Sequence, residues 1–75
     1  MTDYSARPLD FLNERKGRKI LVTLKSGEQF SGNLLAFDLY INLTIDEANQ
    51  IDDKNDKILN LGSMFIRGDT ISWIV

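Results

Sequence analysis

Three groups of polar residues carry whatever chemistry this sequence can do. The first is acidic. Asp46, Glu47, Asp52, Asp53 and Asp56 hold five of the eleven carboxylates. Carboxylates alone are an unspecific signature for Mg²⁺ or Ca²⁺. They read as a solvated loop and strand end, and no metal is assigned to them. The second group is basic, with Arg15, Lys16, Arg18, Lys19 and Lys25 holding five of the nine cations. Arg15 and Lys16 near a helix end offset the negative terminus; a contact to phosphate is the alternative. The third group is Asp38, Tyr40 and Asn42, followed much later by Arg67 and Asp69. Singly, each has an ordinary use. Tyr40 can be an amphipathic rim residue, and Asn42 can close a turn. Arg67 and Asp69 can pair across a tight turn for little energy, and Asp38 can brace a loop. The chain has no histidine and no cysteine. That excludes a disulfide framework, a thiolate metal site and a Cys/His nucleophile. With no phosphate-loop or metal-ligand signature either, the reading is a non-enzymatic protein without cofactor or small-molecule substrate.

The elements that must position these residues can be placed from pattern. Seventy-five residues suit one domain. Residues 1–6 read as a loose terminus and residues 7–75 as a single domain. A short helix is predicted over Pro8–Lys16. Pro8 suits its first turn, Leu9 and Leu12 share a face, and Gly17 fits the left-handed cap. Strands follow. Ile20, Val22 and Leu24 alternate, and Ser26-Gly27 marks a turn. Gln29–Phe37 is the second strand, with Gly32 at a bend or close approach. Leu39, Ile41, Leu43 and Ile45 alternate with Tyr40, Asn42, Thr44 and Asp46, which predicts a third strand with those four on the opposite face. Residues 52–56 form a hairpin loop. Lys57–Ile66, interrupted by Gly62, is the fourth strand. Arg67-Gly68-Asp69 is a tight turn, and Thr70–Val75 the fifth strand. The fold class is mainly β, with long bent strands of the kind that curl a small sheet into a barrel.

The last two strands are apolar on both faces. Ile58, Met64 and Ile66 oppose Leu59, Leu61 and Phe65; Ile71, Trp73 and Val75 oppose Ile74. Strands of this kind need cover on both sides, and an open apolar edge needs a partner. Pairing between subunits supplies both, and a head-to-tail contact closes a ring when its rotation closes. No apolar run approaches a membrane span, and no signal-peptide core is present. A cytoplasmic location is the expectation. The formal charge of −2 is the reverse of a basic nucleic-acid binder.

Val22-Thr23-Leu24-Lys25-Ser26-Gly27, Phe30, Gly32, Leu34 and Phe37-Asp38-Leu39-Tyr40-Ile41-Asn42-Leu43 together resemble the first Sm motif. Ile66-Arg67-Gly68-Asp69-Thr70-Ile71 resembles the second. The run Arg-Pro-Leu-Asp-Phe-Leu at 7–12 is similar to the N-terminal helix of archaeal Sm-like proteins. The resemblance implies a short helix on a strongly bent five-stranded antiparallel sheet, an SH3-like small barrel. It implies a ring of identical subunits, heptameric more often than hexameric, joined by pairing the fourth strand of one to the fifth of the next. It also implies that the two motif loops meet at a central pore and bind single-stranded U-rich RNA. In that scheme Tyr40 stacks on one side of a base and Arg67 covers the other. Asn42 bonds the base edge, Asp69 orients Asn42, Gly68 permits close approach and Asp38 braces the loop. Arg7, Asn13 and Arg15 are candidates for a second contact on the helix face. Many archaeal members have histidine where Tyr40 stands. Tyrosine keeps the stacking surface and does not become cationic near neutral pH, so binding should be nearly flat between about pH 6 and 8. The competing reading is a ring-shaped protein scaffold whose RNA site is weak or unused.

Overall fold

A computed structural model describes residues 8–52, 54 and 56–75. The terminus at 1–6, Arg7, and Asp53 and Asn55 of the acidic loop lie outside the described residues. The elements in chain order are α1 (Pro8–Arg15), β1 (Lys19–Leu24), β2 (Gln29–Phe37), β3 (Leu43–Ile51), β4 (Lys57–Ile66) and β5 (Ile71–Ile74), with one 3₁₀ turn at Gly68–Thr70. All strand pairs are antiparallel, in the order β4-β3-β2-β1-β5. The strands that close the order, β4 and β5, are therefore the edges of the sheet.

α1 ends as its residues dictate. Gly17 sits at φ +81° and donates its N–H to the Leu34 carbonyl at 2.8 Å. The left-handed cap thereby ties the helix to β2. Phe11 and Leu12 are buried beneath it, and Arg15 lies over the Phe11 ring at 4.4 Å. Arg15 thus serves a cation–π contact beside any effect on the helix terminus.

The core is filled by alternate residues of successive strands: Ile20 and Val22, Phe30 and Leu34, Leu43 and Ile45, then Ile66. Register shifts interrupt the β2–β3 and β3–β4 ladders. One extra residue on one strand bends it and tightens its twist, and these shifts are where the sheet curls. Gly32 lies inside that curl. A Cβ on Gly32 would stand 2.9 Å from the Asp46 carbonyl oxygen and 3.2 Å from the Ala48 Cα. Backbone cannot move aside cheaply, so Gly32→Ala should destabilise by about 1–3 kcal/mol. Thermal unfolding should show it as a lower midpoint.

One expected element changes. The third strand begins at Leu43, so Leu39–Asn42 is loop and not strand. Leu39 is 77% exposed and Ile41 has φ +62°. The cause is Asp38. Its Oδ1 accepts the N–H groups of Tyr40 at 2.8 Å and Asn42 at 3.2 Å. An aspartate that captures backbone donors two and four residues on competes with ladder formation, and here it wins over the alternating pattern. The fifth strand is also shorter than expected, because Thr70 belongs to the 3₁₀ turn.

Candidate nucleic-acid interface

Two connections meet at one end of the sheet. Residues 38–42 join β2 to β3, and residues 67–70 join β4 to β5. The register places their roots together, since Leu43 pairs with Ile66. Tyr40, Asn42, Arg67, Gly68 and Asp69 line one open depression of about 400 Å³. All five expected binding residues are thus gathered, from segments about 25 residues apart in the chain.

Asn42 joins the two loops. Its Oδ1 accepts the Gly68 N–H at 2.8 Å, and its Nδ2 donates to Asp38 Oδ2 at 3.0 Å. The partners are a pure donor on one side and a carboxylate on the other, so the amide has one sensible orientation. One Nδ2 hydrogen and one Oδ1 lone pair remain for a ligand. The expectation that Asp69 orients Asn42 is corrected here: Asp38 does so. Asp69 Oδ2 instead accepts from the Arg67 guanidinium at 2.9 Å. Both side chains are exposed, so the pair adds little stability.

Gly68 acquires a second reason. A Cβ there would collide with the Tyr40 carbonyl oxygen and sit 2.9 Å from the Ile41 carbonyl carbon. The glycine makes room for the neighbouring loop before any ligand arrives. Tyr40 is 79% exposed, so its ring is held by its backbone and is free on its faces. Asp38 was expected to brace the loop, and it does so with both carboxylate oxygens.

The Asn42 amide holds the Asp38 carboxyl below its ordinary value; lost hydration works the other way, and the N–H groups of Tyr40 and Asn42 lower it further. A depressed carboxyl stabilises the fold above its unfolded value, about 3.9. The contribution fades as pH falls through the lower folded value. The loop should therefore be unchanged from pH 8 to about 5 and loosen below about 4. The protection of the Gly68 amide, its exchange rate relative to the intrinsic rate at each pH, reads this; loosening already at pH 6 would contradict it.

A model of the LSM domain family matches residues 10–75. The chain belongs to the LSM domain family. It is 43% identical over 67 residues to the LSM complex subunit lsm4 of Schizosaccharomyces pombe, covering 89% of this chain and 55% of that protein. This LSM chain thus spans about half the length of that relative. Among solved structures it is similar to the Sm protein of Pyrococcus abyssi in complex with a uridine heptamer. That pair has a TM-score of 0.84 at 34% identity, over 91% of this chain and 94% of the other. It is also similar to a heptameric archaeal Sm protein, with a TM-score of 0.78 at 31% identity, over 87% and 93% of the two chains. These confirm the bent five-stranded sheet with its N-terminal helix.

The fold sets part of the acidic charge of this LSM domain apart from the depression, while Asp38 and Asp69 stay beside Asn42 and Arg67. The acidic loop follows Ile51, at the far end of the β3–β4 hairpin from Leu43 and Ile66. Eight residues of strand separate those ends, a path of roughly 26 Å. That path is several times the Debye length of about 8 Å at physiological salt, so even along a bent strand Asp52 and Asp56 are screened from Arg67.

Proposed function

We propose that this chain is a subunit of a ring that binds single-stranded U-rich RNA at its central pore and acts in RNA metabolism or ribonucleoprotein assembly. The observation that carries the reading is the Asn42 amide, fixed between Asp38 and Gly68 and flanked by the exposed planes of Tyr40 and Arg67. Unstacked bases are bound between such planes and read on their edges. Uracil offers a carbonyl acceptor next to an imino donor, which matches the free hydrogen and lone pair of Asn42. Cytosine reverses that order, and the amide cannot turn over without losing both of its holding bonds. The uridine heptamer bound to the P. abyssi relative supports the same ligand class. The heptameric archaeal relative supports assembly, for which pairing of β4 with β5 of the next subunit is the economical geometry.

The test is to measure oligouridine, oligocytidine and oligoadenosine binding by the assembled protein, with Asn42→Ala and Arg67→Ala beside it. Each substitution should weaken oligouridine binding by about fivefold or more, since Arg67→Ala removes one stacking contact of about 1–3 kcal/mol and Asn42→Ala removes base-edge hydrogen bonds of about 1 kcal/mol each. Asn42→Ala should also erase the preference over cytidine. Equal weak binding to all three by the unaltered protein would favour the scaffold reading.

A further inference from the structure

Leu39, Tyr40 and Ile41 form the tip of a tight hairpin. The Asp38 N–H donates to the Asn42 carbonyl at 3.3 Å, and the Ile41 N–H donates to the Asp38 carbonyl at 3.1 Å. Three-residue hairpin loops end on a left-handed residue, and glycine is its usual occupant. Here the occupant is Ile41, at φ +62°. A β-branched side chain is among the least tolerant of that backbone conformation. Gly17, Gly27 and Gly62 also adopt positive φ; of the described non-glycine residues Ile41 and Glu47 (φ +51°) do so, and Ile41 is the β-branched one.

A strained residue at a tip needs a compensating role, and the packing shows one. The Ile41 side chain is half-buried against the hydrophobic core, whereas its loop neighbours Leu39 and Tyr40 are exposed. It is the inward foot of the loop. The second loop touches down on the same peptide, because Gly68 leaves room there for the Ile41 carbonyl. We infer that Ile41 is a positioning residue: its anchored side chain fixes where Tyr40 and Asn42 stand relative to Arg67 and Gly68, and so sets the base selectivity of the depression. This rests on the RNA-binding reading above. A glycine would make the same turn more easily and leave the loop without its foot.

The experiment uses Ile41→Gly and Ile41→Asn, both suited to the left-handed backbone, with Ile41→Leu to keep an apolar foot. Two quantities are read on the full chain: amide exchange at Gly68 without RNA, and the ratio of oligouridine to oligocytidine affinity. In the glycine and asparagine variants the Gly68 amide should exchange about tenfold faster, as expected for a loosened hydrogen bond. The affinity ratio should fall towards one while sheet protection persists. Ile41→Leu should restore both. A purely structural role would weaken the two oligomers equally and leave the ratio intact. Unchanged exchange and an unchanged ratio in both variants would overturn the inference. Should both fail to assemble, Ile41→Val decides, with faster Gly68 exchange supporting the inference and unaltered exchange overturning it. If the unaltered protein shows no uridine preference, the RNA reading fails on its own account. The exchange measurement then still decides the positioning role in the same two directions.

Discussion

Gly68→Ala should abolish oligouridine binding and lower the thermal midpoint of the protein. The added Cβ meets the Tyr40 carbonyl oxygen and the Ile41 peptide, all backbone atoms. No rotamer change relieves such a collision, so the two loops must separate. Overpacking costs about 1–3 kcal/mol. Separation also breaks the bond from the Gly68 N–H to Asn42 Oδ1, worth about 1 kcal/mol net. For a domain of this size, each kcal/mol lowers the midpoint by about 4–8 °C. Binding suffers more than stability. Asn42 loses one of the two bonds that hold its amide, and Tyr40 moves away from Arg67, so the base would meet neither plane nor edge in register. Gly32→Ala is the control. It too forces a Cβ onto backbone, at Asp46 and Ala48, but within the curl of the sheet. It should lower the midpoint comparably and leave oligouridine affinity per folded ring unchanged. If Gly68→Ala bound uridine as the unaltered protein does, the interlocked loops would not be the site.

The strands that carry this site were largely legible. β2 and β4 run from Gln29 to Phe37 and from Lys57 to Ile66 as predicted, β2 from its single apolar parity and β4 from an apolar run on both faces between loop and turn residues. The residues of the depression were legible too, as a set of types in two motifs. Their wiring was not. Alternation from Leu39 to Ile45 looks the same whether or not the first half pairs, because periodicity does not register a competing carboxylate. Asp38 followed four residues later by Asn42 was the available signal, since aspartate favours the first position of a turn. Membership of the two motifs suggests Asp69 as the partner of Asn42. The 3₁₀ turn instead sets Asp69 against Arg67, two residues away. Gly68 illustrates the remaining gap. A glycine in sequence announces a conformation or a close approach, and only the fold shows that the approaching group is the Tyr40–Ile41 backbone.

Phe65→Asp should convert the assembled protein to monomer at micromolar concentration. Phe65 pairs with Thr44 on β3 and is 62% exposed, on the opposite parity from Ile66 in the core. Its strand is one edge of the sheet, and the other edge carries Trp73, 58% exposed. Two apolar edges on one chain are self-complementary in the head-to-tail sense, which repeats the same contact around a ring. Burying a phenylalanine contributes about 1.5–3 kcal/mol, so its loss alone weakens each contact about tenfold or more. Burying a carboxylate without a partner adds a further penalty. Because every interface carries the substitution, the losses multiply around the ring. Native mass spectrometry should give multiples of 8.6 kDa for the unaltered chain and the single mass for the variant. Trp73 is the only tryptophan, so its emission provides a second reading: blue-shifted in the assembly, red-shifted in the variant and on dilution. An unaltered chain that stays monomeric at micromolar concentration would refute edge pairing, and with it the pore. A Phe65→Asp ring of unchanged mass would show that the contact runs through another surface.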